Sequence, residues 1–266
     1  MASSALGPTL FQALRIQLRV LHALMLREAT LKLGPQKLGH IWVLTETIWG
    51  TAFLGFLRYL FSRVPPVGDS IVFYMFSGMF AYTLYRVLHV RVGAALNANK
   101  ALLSYPVVRP VDTMLARMML ESTFQLIAFL IFYSALIWFG YAPWPAKPIM
   151  LIWATGATIL LGFGMGVTGM ILRSLWATWA TLDSMLARIL FFISGVFYEV
   201  DSIPPQAREV LSWNPLVHAI QWIRVCLYPE YRPETLDVTY LLAFGLITTV
   251  FGLGMERLLR PRLLEQ

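Results

Sequence analysis

The chain has 266 residues, 58% of them hydrophobic and only 13% charged, with a mean hydropathy of +0.66. A soluble domain carries roughly twice that share of charge, and a globular core does not need apolar blocks long enough to cross a bilayer. The composition therefore excludes a soluble enzyme or binding module and identifies a polytopic, all-α membrane protein. The formal net charge of +7 does not point to nucleic acid. No RNA- or DNA-binding motif accompanies it, and membrane proteins concentrate Lys and Arg beside the cytoplasmic ends of their spans. The one cysteine, Cys226, cannot form an internal disulfide.

Residues 1–25 are not a signal peptide, because Arg15, Arg19 and His22 interrupt any apolar core and no small-residue cleavage site follows. On a helical wheel Leu10, Leu14, Leu18, Leu21 and Met25 share one side and Gln12, Arg15, Arg19 and His22 the other. That pattern predicts an amphipathic interfacial helix with its cations near anionic headgroups. The basic stretch from Arg27 to His40, broken by Gly34-Pro35 and Gly39, reads as a cytoplasmic linker into the first span. Residues 1–40 together form a cytoplasmic interfacial and coupling segment.

Six spans follow at about 41–61, 70–90, 114–139, 148–172, 176–198 and 236–255, each near or above the roughly 20 residues that cross a hydrocarbon core. The whole chain, 1–266, reads as a single transmembrane domain. Arg15, Arg19, Arg27, Lys32 and Lys37 face one acid, Glu28, before the first span, and Arg257, Arg260 and Arg262 follow the last. The fifth-to-sixth connection instead carries Glu199, Asp201, Glu209, Glu230, Glu234 and Asp237 against Arg208, Arg224 and Arg232. The asymmetry predicts both termini in the cytoplasm. That connection, 199–235, is long enough to need structure of its own. Pro204-Pro205 starts one short helix towards Trp213, and Asn214-Pro215 reads as N-cap and N1 of a second through Tyr228, apolar enough to re-enter the outer leaflet.

The sequence holds no P-loop and no G-x-S-x-G. No His is followed four residues on by an Asp, and no metal-ligand spacing occurs among its four histidines. No catalytic or metal site is therefore expected. Gly164 to Gly169 match G-x-G-x-x-G, but mid-span and without a preceding strand, so Gly162 and Gly166 read as a small-xxx-small packing pair. What remains is a set of polar and aromatic stripes. Trp42, Glu46, Trp49 and Phe53 fall within about 60° of one another on a helix, and insertion of the Glu46 carboxylate costs about 3 kcal/mol. Tyr74, Gly78, Tyr82, Tyr85 and His89 share a face of the second span, with Arg86 beside them. Arg117, Glu121 and Gln125 recur every four residues on the third, where the Arg–Glu pair neutralises itself and fixes packing. Asp183 and Arg188 lie within the fifth. Rings and hydroxyls running through the bilayer suit a sugar chain, whose apolar faces stack on aromatics. Arg58, Arg86 and Arg91 are placed to meet acidic substituents at the mouths.

Four local features, in order along the chain, resemble the membrane permease subunit of bacterial capsular-polysaccharide ABC exporters, a type-2 ABC exporter fold. They are Arg27-Glu28 with Lys37-Leu38-Gly39-His40-Ile41-Trp42; Ser104 to Asp112 followed by Ala116-Arg117 and Glu121; Val196-Phe197-Tyr198 with Ile203-Pro204-Pro205; and Trp213 to His218 followed by Arg224. Many relatives carry Glu-Pro where this chain has Glu46-Thr47, so a proline kink there is not expected. The resemblance implies an inner-membrane homodimer moving lipid-linked capsular polysaccharide from cytoplasm to periplasm. It also implies two cytoplasmic ATP-binding subunits and a periplasmic adaptor or co-polymerase. ATP and Mg would act through the partner subunit, with no cofactor bound directly. O-antigen, teichoic acid, lipid or drug export by the same architecture is the alternative, and a membrane enzyme of lipid-linked glycans a more distant one. On this resemblance Trp42, Glu46, Trp49, Phe53, Arg58, Tyr82, Tyr85, Arg86 and His89 line the substrate pathway. Arg27, Glu28, Lys32 and Lys37, within the segment from Leu26 to Gly39, meet the ATPase, with Asn97 to Pro106 as a second contact. Glu46→Ala or Trp49→Ala is expected to abolish surface polysaccharide without lowering the amount of protein in the membrane, read by capsule staining beside an immunoblot. Wild-type surface polysaccharide in both variants would remove that stripe from the pathway.

Overall fold

A computed structural model describes residues 10–33, 65–99 and 108–265, which form helices and connecting turns with no strand among the described residues. The expected first span, 41–61, lies outside them, as do Lys37, Trp42, Glu46, Trp49, Phe53 and Arg58. Four described helices are long and apolar enough to cross a membrane: α2 (Ile71–Gly93), α3 (Pro110–Trp138), α4 (Pro148–Leu175) and the apolar part of α8 (Val238–Glu265). They are preceded by α1 (Leu10–Leu33) and joined by a shorter α5 (Trp179–Ile193) and the cap helices α6 (Pro205–Ser212) and α7 (Pro215–Leu227).

The close helix approaches explain the glycine pattern. Gly162 and Gly166, four residues apart on α4, meet α2: a side chain added at Gly162 would lie 2.9 Å from Leu88 Cβ, and at Gly166 2.8 Å from Val92 Cβ. Gly164, on the opposite face, lies against Thr248 and Thr249 of α8, and Gly252 of α8 against Val167. Helix α4 is thus clasped between α2 and α8, which is the packing role the small-residue pair predicts. On its other side α2 stacks rings with α3. Phe73 lies 5.6 Å from Tyr133 and Phe76 5.5 Å from Phe129, each pair within 9° of parallel.

Several boundaries differ from expectation. Helix α1 does not stop before Arg27; it runs two turns further to Leu33 because Glu28 and Lys32 find partners on α3. Its buried residues are Leu21 and Leu24, while Leu18, on the same apolar side as Leu21, is exposed along with Ile16 and Leu26. Helix α3 starts a turn early, with Pro110 in its first turn and the Asp112 carboxylate accepting the Arg109 N–H at 2.9 Å. Helix α8 continues past Met255 to Glu265.

The expected span 176–198 contracts to the 15-residue α5. Trp176 closes α4 by donating to the Leu172 carbonyl at 2.9 Å, and Gly195, at φ +75°, ends α5 in a left-handed turn that disfavours a side chain. In the cap the expectation holds to the residue. Asn214 caps α7 by accepting the Leu216 N–H at 3.0 Å, with Pro215 first in the helix. Gly164→Ala is expected to destabilise the bundle by about 1–3 kcal/mol, since the new methyl would sit 2.8 Å from the Thr249 backbone nitrogen. Gly156→Ala, which meets nothing within 4 Å, is the matched control in SDS-titration unfolding.

Candidate functional site

The tyrosine stripe of α2 is the seat of α5. From the cap end downwards, Gly78 lies against Val196, Tyr82 Oη donates to the Ala187 carbonyl at 3.0 Å, and His89 Nε2 meets Asp183 Oδ1 at 2.7 Å. The two helices are antiparallel. Tyr82 also packs its ring on Phe191 at 4.8 Å, and Tyr85 is buried with its ring 5.8 Å from His89. The stripe is therefore covered in this conformation, and α5 turns Met185, Leu186, Ile189 and Phe192 outwards.

At the cap end the anchor is Arg224 of α7, among the most buried large side chains. It donates from Nη1 to the Gly195 carbonyl at 2.7 Å and from Nη2 to Val196 at 2.8 Å, and its guanidinium lies 3.8 Å over the Tyr74 ring. Gly78 leaves the room this needs: an added methyl there would lie 2.7 Å from Arg224 Nη2. The connection from 199 to 235 is held by similar bonds. Asp201 accepts the Glu234 N–H and the Thr235 hydroxyl, each at 2.8 Å. His218 donates from Nε2 to Ser212 at 2.7 Å and accepts at Nδ1 from the Asp237 N–H at 3.0 Å, so its ring is the neutral Nε2–H tautomer. Burial, reinforced by Asp201 and offset by Arg224, raises the Glu199 carboxyl above the ordinary carboxylate range. A cavity of about 750 Å³ opens beside the cap between Asp69, Phe73, Tyr141, Tyr228 and Glu230, away from every pathway residue predicted within the described part.

At the opposite end Asp183 gathers cations. Arg173 Nη2 approaches Oδ2 to 2.7 Å and Arg86 Nη1 lies 3.7 Å from the same oxygen, while His89 holds Oδ1. Of this group the sequence singled out Arg86 and His89 as pathway residues and noted Asp183 as an intramembrane charge. It gave no sign of Arg173, whose only signal was a charge in the last turn of α4. Arg188 shares no ion pair with the group among the described residues.

Arg27, Glu28 and Lys32 fall into a second network. Arg117 embraces Glu28 through Nε and Nη2 at 3.1–3.2 Å. Asn99 Nδ2 donates to the same carboxylate at 2.8 Å, and Arg27 donates to Asn99 Oδ1 at 2.7 Å. One turn on, Lys32 pairs with Glu121, which Arg91 also approaches at 3.7 Å. The expected Arg117–Glu121 pair is thus replaced. The Glu28-to-Lys32 step on α1 is the charge complement of Arg117-to-Glu121 on α3, and matching the two helices in the same chain sense satisfies all four groups. No cluster of three or more His, Cys, Asp or Glu fit to hold a metal occurs among the described residues.

The sequence is similar to known proteins over most of its length. The model of the ABC-2 type transporter family matches residues 19–228. The chain belongs to that family. Relatives include the polysialic acid transport protein KpsM of Escherichia coli, 30% identical over 244 residues covering 91% of this chain and 94% of that protein. The capsule polysaccharide export inner-membrane protein BexB of Haemophilus influenzae is 25% identical over 250 residues, 94% of each chain. CtrC of Neisseria meningitidis serogroup B, with the same description, is 27% identical over 260 residues, 94% of this chain and 95% of the relative. The matched region of this ABC-2 transporter runs from α1 to the end of α7, so both ionic networks and the Arg224 anchor lie inside it. In a double-mutant cycle, Glu28→Gln with Arg117→Gln is expected to show coupling of about 1–3 kcal/mol. The Arg117→Gln and Glu121→Gln cycle should stay below about 0.5 kcal/mol, with stability read by SDS-titration unfolding.

Proposed function

We propose that this ABC-2 protein is the membrane-spanning subunit of an ATP-driven exporter of lipid-linked, acidic capsular polysaccharide. It is a homodimer in the inner membrane, with both termini cytoplasmic, working with two cytoplasmic ATP-binding subunits and a periplasmic adaptor. The observation that carries the proposal is collinear similarity over nine-tenths of the chain to three permeases named for polysialic acid transport or capsule polysaccharide export. The chain's six spans fill a single domain in which 41–61 supplies the wall bearing Trp42, Glu46, Trp49, Phe53 and Arg58. Tyr82, Tyr85, Arg86 and His89 become path-lining when α5 leaves the stripe it covers.

Arg27, Glu28, Lys32 and Lys37 couple the chain to the ATPase, and the contacts of the first three support this reading. Glu28 and Lys32 are held by Arg117 and Glu121, and Arg27 reaches Asn99, within the 97–106 segment. A push by the ATPase on either surface would then move α1 and α3 as one body. The exposed Arg15, Arg19, Ile16 and Leu18 suit the headgroup layer, and the acidic cap suits the periplasmic side.

Deleting the gene in its host is expected to remove surface capsule and leave polysaccharide inside the cell, with restoration by the wild-type chain. Purification of that chain should bring down an untagged ATP-binding subunit. Unchanged capsule would overturn the proposal, and loss of O-antigen or teichoic acid with capsule intact would transfer it to that glycan.

A further inference from the structure

Helix α5 is fastened to the bundle at few places. Its buried side chains are Asp183 and Ala187. Its cap end is held through the backbone carbonyls of Gly195 and Val196, and its middle through the Ala187 carbonyl. Asp183 is therefore the one α5 side chain that carries charge into the bundle among the described residues. It faces more cation than it can neutralise. Arg173 and Arg86 share a single oxygen, Oδ2, and the nearly buried His89 holds the other. One carboxylate stands against two guanidiniums.

Hydrogen bonding is unbalanced in the same direction. Arg173 Nε and Trp179 Nε1 are buried donors with no acceptor among the described residues, and His89 Nδ1 is likewise unspent. Trp179 lies on the first turn of α5, its Nε1 close to the same face of Gly169 that His89 touches. Buried donors without acceptors are costly, and guanidiniums with free N–H groups recognise carboxylate and phosphate oxygens in particular.

We propose that Arg86, Arg173, His89 and the Trp179 N–H form an anion site for the phosphate or carboxylate of the acidic substrate. Asp183 fills this site in the resting state and yields it to the substrate, which frees α5 from the α2 stripe. The proposal rests on the export reading above and names the group the path admits. The site is α5's own lock: the substrate anion takes the contacts of an internal carboxylate, so only a charged substrate uncovers Tyr82 and Tyr85. Arg86, 26% exposed and 3.7 Å from Asp183, is the least committed of the cations and the first available to an incoming anion.

The test uses the purified full-length chain in phosphatidylcholine nanodiscs, without ATPase. It is titrated in separate arms with a fluorescent short-chain phosphatidic acid and with trigalacturonate, so that a lipid phosphate and a sugar carboxylate are distinguished. Asp183→Asn removes the internal competitor and is expected to tighten binding in the favoured arm by about tenfold. Hydrogen exchange of α5 amides should rise with it. Arg86→Gln is expected to weaken binding by about tenfold, while Arg208→Gln in the cap, an equal loss of charge, leaves it unchanged. A purely structural knot predicts the opposite sign for Asp183→Asn. Unchanged or weaker binding in that variant, or no binding of either probe to the wild type, overturns the proposal. Should Asp183→Asn fail to fold, wild-type affinity in Arg86→Gln overturns it alone. Capsule loss on gene deletion is scored separately, so an absent anion site with a capsule phenotype sinks this inference and leaves the export reading standing.

Discussion

A charge buried away from water must be surrounded by partners, and the placement of Arg224 obeys that constraint most fully. Among the described residues no carboxylate touches its guanidinium. Two backbone carbonyls and the face of Tyr74 hold it instead, an arrangement favourable only where solvent is excluded. Those carbonyls belong to the turn that ends α5, the ring belongs to α2, and the arginine belongs to α7. One side chain therefore fixes the relation of the cap to two bundle helices. Gly78 has no side chain because the guanidinium and Val196 occupy that space.

The other end of the bundle solves the same problem with carboxylates. Glu28 holds Arg117 and the Asn99 amide, Glu121 draws cations from α1 and α2, and Asp183 draws three groups from two helices. These pairs are partly buried, so their value lies more in specifying which helices meet than in net stability. The matched four-residue steps of α1 and α3 illustrate this: a slip of one turn would put Lys32 beside Arg117.

Local chemistry was readable and long-range partnership was not. The Asn214-Pro215 start of α7, the Pro205 start of α6 and the Gly162/Gly166 contact all follow from residues within a few positions of one another. Four of the expected spans match helices long and apolar enough to cross a membrane, because periodicity and length are local as well. The pairing of Arg117 failed since its spacing to Glu121 offered a nearby answer, while the true partner is 89 positions away. Helix α1 outran its expected end for the same reason: its last two turns are specified by α3, not by their own sequence. The tyrosine stripe was correctly placed on one face, but nothing local announces that α5 lies over it.

Helix α5 has a further consequence for the lipid around it. Fifteen residues rise about 22 Å, while the hydrocarbon core is roughly 30 Å thick. Wherever acyl chains touch its outward row of Met185, Leu186, Ile189 and Phe192, the leaflets are pinched to meet a short partner, at a cost of fractions of a kcal/mol per Å. Such a dimple draws headgroups inward beside the helix. A polar head crossing there travels a shorter distance through oil than it would anywhere else along the protein's perimeter.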